Sequence, residues 1–370
     1  MTSYPALSTI TQSFLPNSPY PEIESASKDP EFHPQSFSSE HHQRAHSFEK
    51  RFMAYLGENF RVNFHTYEEY VHLSQLLQAE AMGYAYSGWR RLWGGNSTTN
   101  EEGRLCGGAL VWQLNDVWPV TSWALVDYFL RPKPALYAIA RALEEVAVGI
   151  ERTTSPDPKP NGKVEALVNN KTTKRAMTGG QFAIHSTPHV FPERKNTVVV
   201  WVANKKTMDL DFKKLGWLLK VNYVDMDSGK SETVFESGST STTSNGTTMI
   251  WQGEFVEATP PTRAVHVTIM DVGGNAIAHT DWPQPLKHYD FAAPDRGVEV
   301  MTTYVEDLQE SLLGRITLRV KKPLKGFWMN VGDRVIWGRE NGSDICPGDS
   351  VTIEAKLDGK SVDGELRKKI

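Results

Sequence analysis

The residues that could do chemistry are crowded into Gly107 to Trp123, which reads Gly-Gly-Ala-Leu-Val-Trp-Gln-Leu-Asn-Asp-Val-Trp-Pro-Val-Thr-Ser-Trp. Trp112, Trp118 and Trp123 are interleaved with Gln113, Asn115 and Asp116. A flat indole face beside amide and carboxylate groups is a chemical description of a sugar site: the apolar C–H faces of a pyranose stack on the ring and its hydroxyls take the hydrogen bonds. Any one of these indoles could instead fill a core. The adjacent Asn115 and Asp116 resist that reading, because a buried amide–carboxylate pair is costly unless partnered.

Something must position these side chains. Ala109 to Trp112 is a short apolar run behind two glycines, which predicts a strand buried on both faces. Pro119 cannot donate to a ladder, so the strand should end before it. Polar and aromatic groups then gather where a buried strand opens into a loop, the end at which a parallel α/β barrel binds ligands. A lone buried strand needs neighbours to satisfy its backbone, and the chain offers it none.

Two helices precede this stretch. Phe48 to Asn59 carries Phe48, Phe52, Tyr55 and Leu56 along one face. Thr66 and Glu69 form a capping box, and Tyr70, Leu73, Leu77, Ala81 and Tyr84 recur at helical spacing toward Trp93. Glu80 on that helix is a further carboxylate, read as solvated. After Trp123 come an apolar run to Phe129, a rigid elbow at Arg131-Pro132-Lys133-Pro134, and a helix over Ala135 to Val146. His33, His41, His42 and His46 lie among prolines and fit no ligand spacing, so a solvated loop is expected and no metal.

Past about residue 150 the texture changes. A Pro-rich linker over Ser155 to Gly162 leads into β-type runs at Val164–Val168, Phe182–His185, Val198–Val202, Leu218–Val224, Met249–Phe255 and Val265–Met270. That spacing predicts an antiparallel sandwich. Ser237 to Thr248 reads as a loop, and Trp282 to Pro294 as a second linker. Val298–Tyr304, Ile316–Val320, Gly326–Val331, Arg334–Trp337 and Ser350–Leu357 predict a smaller β domain.

Composition narrows the function classes. The 370 residues carry a net charge of -4, with 39% hydrophobic residues and 11 Trp. This balance gives no support for nucleic-acid binding, and no apolar run approaches the ~18 residues that span a bilayer, so no membrane partner is expected. Two cysteines, Cys106 and Cys346, argue against a disulfide scaffold. Sequons at Asn96, Asn170, Asn245 and Asn341 do not decide secretion, and no signal peptide follows Met1.

Val-Trp-Gln-Leu-Asn-Asp-x-Trp-Pro-Val-x-Ser-Trp, with Asp127-Tyr128-Phe129 and Arg131-Pro132-Lys133-Pro134, resembles the β-mannosidase branch of the family 2 glycoside hydrolases, in its fungal intracellular type. Ser74-Gln75-Leu76-Leu77-Gln78-Ala79-Glu80-Ala81 and Trp89-Arg90-Arg91 are similar to that branch as well. The likeness is strong over about residues 1 to 150 and afterwards lies in the arrangement of domains.

The resemblance implies an α/β plus all-β fold. The C-terminal part of a (β/α)8 TIM barrel (1–149) would be followed by two immunoglobulin-like β-sandwich domains (150–288 and 289–370). It implies hydrolysis of terminal β-D-mannose with retention, no cofactor, β-mannoside oligosaccharides as partners, and a cytoplasmic location. Trp112 would floor the subsite for the terminal sugar, Asn115, Asp116 and Trp118 would border it, and Trp123 would pack.

A retaining glycosidase needs two carboxylates about 5 to 5.5 Å apart. By the family pattern the nucleophile directly precedes a stretch matching Met1 to Pro5, and the acid/base lies earlier still. Neither catalytic residue is therefore expected in this chain, which predicts no hydrolysis by it alone. A non-catalytic sugar-binding or structural remnant is one alternative. An exo-β-glucosaminidase-like protein is the other, although that group tends to have Asn where this chain has Asp116.

Overall fold

A computed structural model describes residues 2–19, 23–43, 45, 48–62, 66–93, 106–155, 193–257, 261–289, 296–306, 312–329 and 340–357. The expected runs Val164–Val168, Phe182–His185 and Arg334–Trp337 lie outside them, as do His46, the sequons at Asn96 and Asn170, and most of the first linker.

Helices α1 (Phe48–Asn59), α2 (Tyr67–Arg91) and α3 (Pro134–Ala142) dominate the first part of the chain. Shorter turns at Leu7–Thr9, Ile10–Phe14, Ile23–Ala26 and Phe37–His41 surround them. Thr66 is the N-cap residue of α2, but the expected capping box is not closed: its hydroxyl donates to the Glu69 carboxylate (3.3 Å) instead of accepting from the backbone of the first turn. The buried stripe of α2 differs from the expected one. Tyr84 is exposed, whereas Ser74, Gln75 and Gln78 are buried.

The reason is backbone satisfaction. The Tyr4 amide donates to Ser74 Oγ (3.1 Å), and Gln75 Nε2 donates to the Tyr4 carbonyl (3.1 Å). Gln78 accepts from Ser3 Oγ (2.7 Å) and donates to the Trp123 carbonyl (3.0 Å). These side chains on α2 serve backbone that has no regular strand beside it. Tyr4 then stands edge-on to Phe52, Tyr67 and Tyr70, at 6.5, 5.6 and 5.5 Å between ring centroids.

No strand precedes Val146 among the described residues, so no barrel is seen. The strand expected at Ala109–Trp112 is absent. That segment is irregular and open to solvent, with Leu110 98% exposed. An apolar run becomes a strand only when a neighbour takes its N–H and C=O groups, and none of the described residues does so. The helix expected to reach Val146 stops at Ala142, because Val146 already pairs with Asn204 in a strand.

That strand is β1 (Val146–Thr154). It opens a sheet of order β1-β2-β7 with β2 (Arg194–Asn204) and β7 (Gly246–Glu257). A second antiparallel sheet, β5-β4-β8-β9, is built from β4 (Leu218–Asp225), β5 (Ser231–Ser237), β8 (Arg263–Met270) and β9 (Ala276–Asp281). Val148, Val200 and Val202 on the first sheet and Leu219, Val221 and Val267 on the second share one core, so the expected sandwich is present. Within the stretch expected to be a loop, β6 (Ser241–Thr242) pairs with β3 (Leu210–Asp211).

The expected second linker is not a free tether. Trp282, Leu286 and Tyr289 are buried with Val224 and Met226 of the sandwich and with Leu56 and Tyr70 of the helical part. Beyond it, β10 (Glu299–Glu306), β11 (Leu312–Arg319) and β14 (Val351–Leu357) form one antiparallel sheet, and β12 (Leu324–Phe327) pairs with β13 (Ser343–Ile345). Leu318, Val320, Ile345 and Ile353 make the core of this third unit. Among the described residues the chain is mostly β, and no helix is long and apolar enough to cross a membrane.

Candidate functional site

The Gly107–Trp123 stretch forms an exposed aromatic rim laid over a buried ionic base. Trp112 is 79% exposed and Trp118 38%, while Asp116 between them is only 3% exposed. Leu114, Val117, Tyr128 and Phe129 are also exposed. The two loops that carry them are tied together, since the Leu114 carbonyl accepts from Leu125 N (3.0 Å) and Val126 N (2.9 Å). Asn115 is exposed and donates from Nδ2 to the Asp116 carbonyl (3.1 Å).

Asp116 points inward. Its Oδ1 accepts from Ser122 Oγ (2.7 Å), and it contributes to the field around Lys133. Burial raises its carboxyl pKa, with Lys133 and the Ser122 hydroxyl pulling the other way. Lys133 is fully enclosed, and burial pushes its ammonium down to about 8 against the opposing pull of Asp116 and Asp127.

Asp127 is the hub below. Its Oδ1 accepts from the backbone N–H of Phe129 (3.0 Å) and Arg131 (2.9 Å), and its Oδ2 accepts from Thr9 Oγ1. Arg131 also donates to Thr9 Oγ1 (2.9 Å) and lies over the Phe129 ring at 4.9 Å. The Arg131–Pro134 elbow therefore does more than stiffen the chain: it carries a buried cation between two aspartates.

His42 corrects the expectation of a solvated histidine loop. It is buried between two rings, stacked on Phe14 at 4.1 Å and on Trp118 at 4.7 Å with 6° between planes. Its Nδ1 lies 2.7 Å from the Pro119 carbonyl, and its own carbonyl accepts from Thr121 N (3.0 Å). His42 thus sets the tilt of the rim's second indole. The signal that could have found it, a single apolar residue at Phe14 in a Pro-broken segment, is not periodic. We expect His42→Ala to lower stability by about 2 kcal/mol through the lost hydrogen bond and two lost stacks. Chemical denaturation measures the loss, and the near-ultraviolet circular dichroism of Trp118 should weaken with it.

The remaining sequence candidates lie elsewhere. Trp123 is partly buried in the packing. Glu80 is not the solvated side chain that its helix position predicts. It instead holds the buried ammonium of Lys325 at 2.7 Å, and Lys325 also lies 3.8 Å from Asp344 and 4.8 Å from the centroid of the Trp282 ring. Glu80, Asp344 and Trp282 line a cavity of about 1250 Å³ among the helical part, the sandwich and the third unit, and Trp112 takes no part in that cavity. The rim therefore stands on an outer face.

No family model matches the chain. Curated relatives do. It is 32% identical over 356 residues to a protein named beta-mannosidase B of Aspergillus terreus, covering 95% of this chain and 35% of that one. It is also 32% identical over 375 residues to the one of Aspergillus niger, covering 100% and 37%. The chain thus spans about a third of the length of these relatives.

Among solved structures, a beta-D-mannosidase of Dictyoglomus thermophilum matches with a TM-score of 0.67 at 20% identity, over 100% of this chain and 36% of that one. An exo-chitosanase of Amycolatopsis orientalis matches at 0.61 and 14%, over 98% and 39%. The fold is therefore the one that these two proteins have over the matched third of their chains. By sequence, the chain belongs to the β-mannosidase family.

Proposed function

We propose that this chain supplies the sugar-stacking rim of a retaining β-mannosidase acting on terminal mannose of β-mannoside oligosaccharides. The observation that carries the reading is the bare Trp112 indole, held out in solvent at the centre of the segment that most resembles the family. An exposed aromatic face on a fixed loop fits a role in stacking better than one in packing. In this reading Trp112 floors the subsite, Trp118 and Asn115 border it, and Asp116 holds the loop from beneath.

The reacting carboxylates would come from polypeptide outside this sequence. In this reading Asp127, held by Thr9 and the Phe129 and Arg131 amides, and Asp116, whose Oδ1 accepts from Ser122, serve the loop, and neither is the acid or the nucleophile. The same reading makes the helical part a portion of a (β/α)8 barrel and the two β units immunoglobulin-like modules.

Two experiments test it. The purified chain should release no nitrophenol from an aryl β-mannoside, and turnover near that of an intact glycosidase would overturn the assignment of the carboxylates. Grafted in place of the matching third of the Aspergillus niger relative, the chain should restore cleavage of the aryl β-mannoside in preference to the β-glucosaminide. A soluble, folded chimera that prefers the glucosaminide would favour the exo-β-glucosaminidase reading.

A further inference from the structure

Away from the rim, three side chains of different chemistry converge where the sandwich meets the third unit. His266 stands on β8, and Cys346 and Asp349 belong to the tight turn that follows β13. One ligand atom from each, an imidazole nitrogen, the Cys346 Sγ and an Asp349 carboxylate oxygen, all lie within 4.8 Å of one another. His266 and Cys346 are buried. The His266 Nε2 to Asp349 Oδ1 separation is 3.1 Å. Two ligands at ~2.0 Å from a tetrahedral zinc ion stand about 3.3 Å apart, so this pair is already at ligand spacing.

The surroundings match those of metal ligands. The other ring nitrogen of His266 lies 3.0 Å from Thr280 Oγ1, directly across the β8–β9 ladder. The second oxygen of Asp349 accepts from the Cys346 backbone N–H at 2.8 Å, and Asp349 N donates back to the Cys346 carbonyl at 3.0 Å. Outer partners that fix the tautomer of a histidine and the aim of a carboxylate are the usual second layer of a metal site. A plain His–Asp ion pair explains two of the three residues. The third, the Cys346 Sγ, lies 3.8 Å from Thr280 Oγ1, so the thiol and the imidazole share that hydroxyl and meet at one point.

We infer that His266, Cys346 and Asp349 bind a single zinc-class divalent ion that clamps the sandwich to the third unit. Thiolate with imidazole selects zinc over magnesium or calcium, whose ligands are oxygen. Asp349 lines the large cavity, so a water molecule can complete the tetrahedron from that side. Binding releases the Cys346 thiol proton to solvent, since the thiolate is the ligand.

The test uses the purified full chain, stripped with a chelator and titrated with cobalt(II). A thiolate-to-cobalt charge-transfer band should grow to one equivalent and collapse when zinc is added. Cys346→Ser should abolish the band and weaken zinc binding by at least 100-fold, whereas Cys106→Ser should leave both intact. Asp349→Asn keeps the thiol and the core, and should weaken zinc 10- to 100-fold in competition with a chelating dye. No band at stoichiometric cobalt, a band that survives Cys346→Ser, or unchanged zinc affinity in Asp349→Asn would each sink the assignment.

Discussion

Asp127→Ala should be among the most damaging single substitutions in the helical part, lowering stability by about 3–5 kcal/mol. The side chain is fully buried and accepts hydrogen bonds from Thr9, Phe129 and Arg131. Removing it strands those donors and takes one of two counter-charges from buried Lys133. It also releases a turn in which Leu130 holds φ 61°, a left-handed conformation that a leucine adopts only under constraint. Urea denaturation of the purified variant measures the loss. A change under 1 kcal/mol would mean that Arg131 and Thr9 hold the turn without it.

Lys133 provides the control, because its sign differs. Burial already disfavours its charge, so Lys133→Met should cost clearly less than Asp127→Ala although both delete one charge. The folded-state pKa of about 8 lies below the ordinary lysine value, so between these two values the unfolded chain binds the extra proton. Stability therefore rises with pH from about 8 toward 10. The rise has an upper bound of roughly 3 kcal/mol at 1.36 kcal/mol per pKa unit. Measured as the difference between the parent chain and Lys133→Met over that range, the slope should disappear in the variant.

These side chains mark where sequence reading stopped. The Pro pattern at Arg131–Pro134 announced an elbow. Nothing local indicated that Lys133 turns inward, because its partners lie 17 and 6 positions away and the pairing exists only once the loops close. Helices α1 and α2 were legible from caps and 3.6-residue spacing, which are local properties. The sandwich was legible from the β-type runs in β2, β4, β7 and β8 and from the Gly, Asn, Asp and Ser clusters that separate them. β1 was not, because Val146 to Ile150 continues an Ala- and Leu-rich helical run without a Gly or Pro to mark the change before Gly149. The Ala109–Trp112 strand failed for the opposite reason: its composition was right, but a strand is a pairing and the partner was missing. At the rim, the types and spacing of Trp112, Asn115 and Trp118 were visible. The stacking of His42 beneath Trp118 and the inward turn of Asp116 were not.

That inward turn changes what Asp116 says about the sugar. An Asp in place of the Asn usual in the exo-β-glucosaminidase group favours mannose by resemblance alone. With its carboxylate bound by Ser122 and its charge set against Lys133, the position reports the charge balance under the loop. Discrimination between sugars must then rest on what projects outward, and the residue that projects furthest among the rim's aromatics is Trp112.

Trp112→Ala therefore separates fold from function more sharply than any other change. Its indole is largely in solvent, so truncation should shift the unfolding free energy of this chain by no more than about 0.5 kcal/mol. In the chimera that carries this chain within the Aspergillus niger relative, Trp112→Ala should lower kcat/KM for an aryl β-mannoside by about 100-fold. That corresponds to about 2.7 kcal/mol of lost transition-state binding. The loss belongs in kcat/KM, since a pyranose distorted toward the oxocarbenium geometry presses its flattened face on the ring. Trp112→Phe should recover part of it by restoring a stacking surface. If alanine leaves kcat/KM unchanged while the protein stays folded, the indole does not touch the sugar. If instead alanine unfolds this chain, Trp112 is a packing residue and the rim is not a binding face.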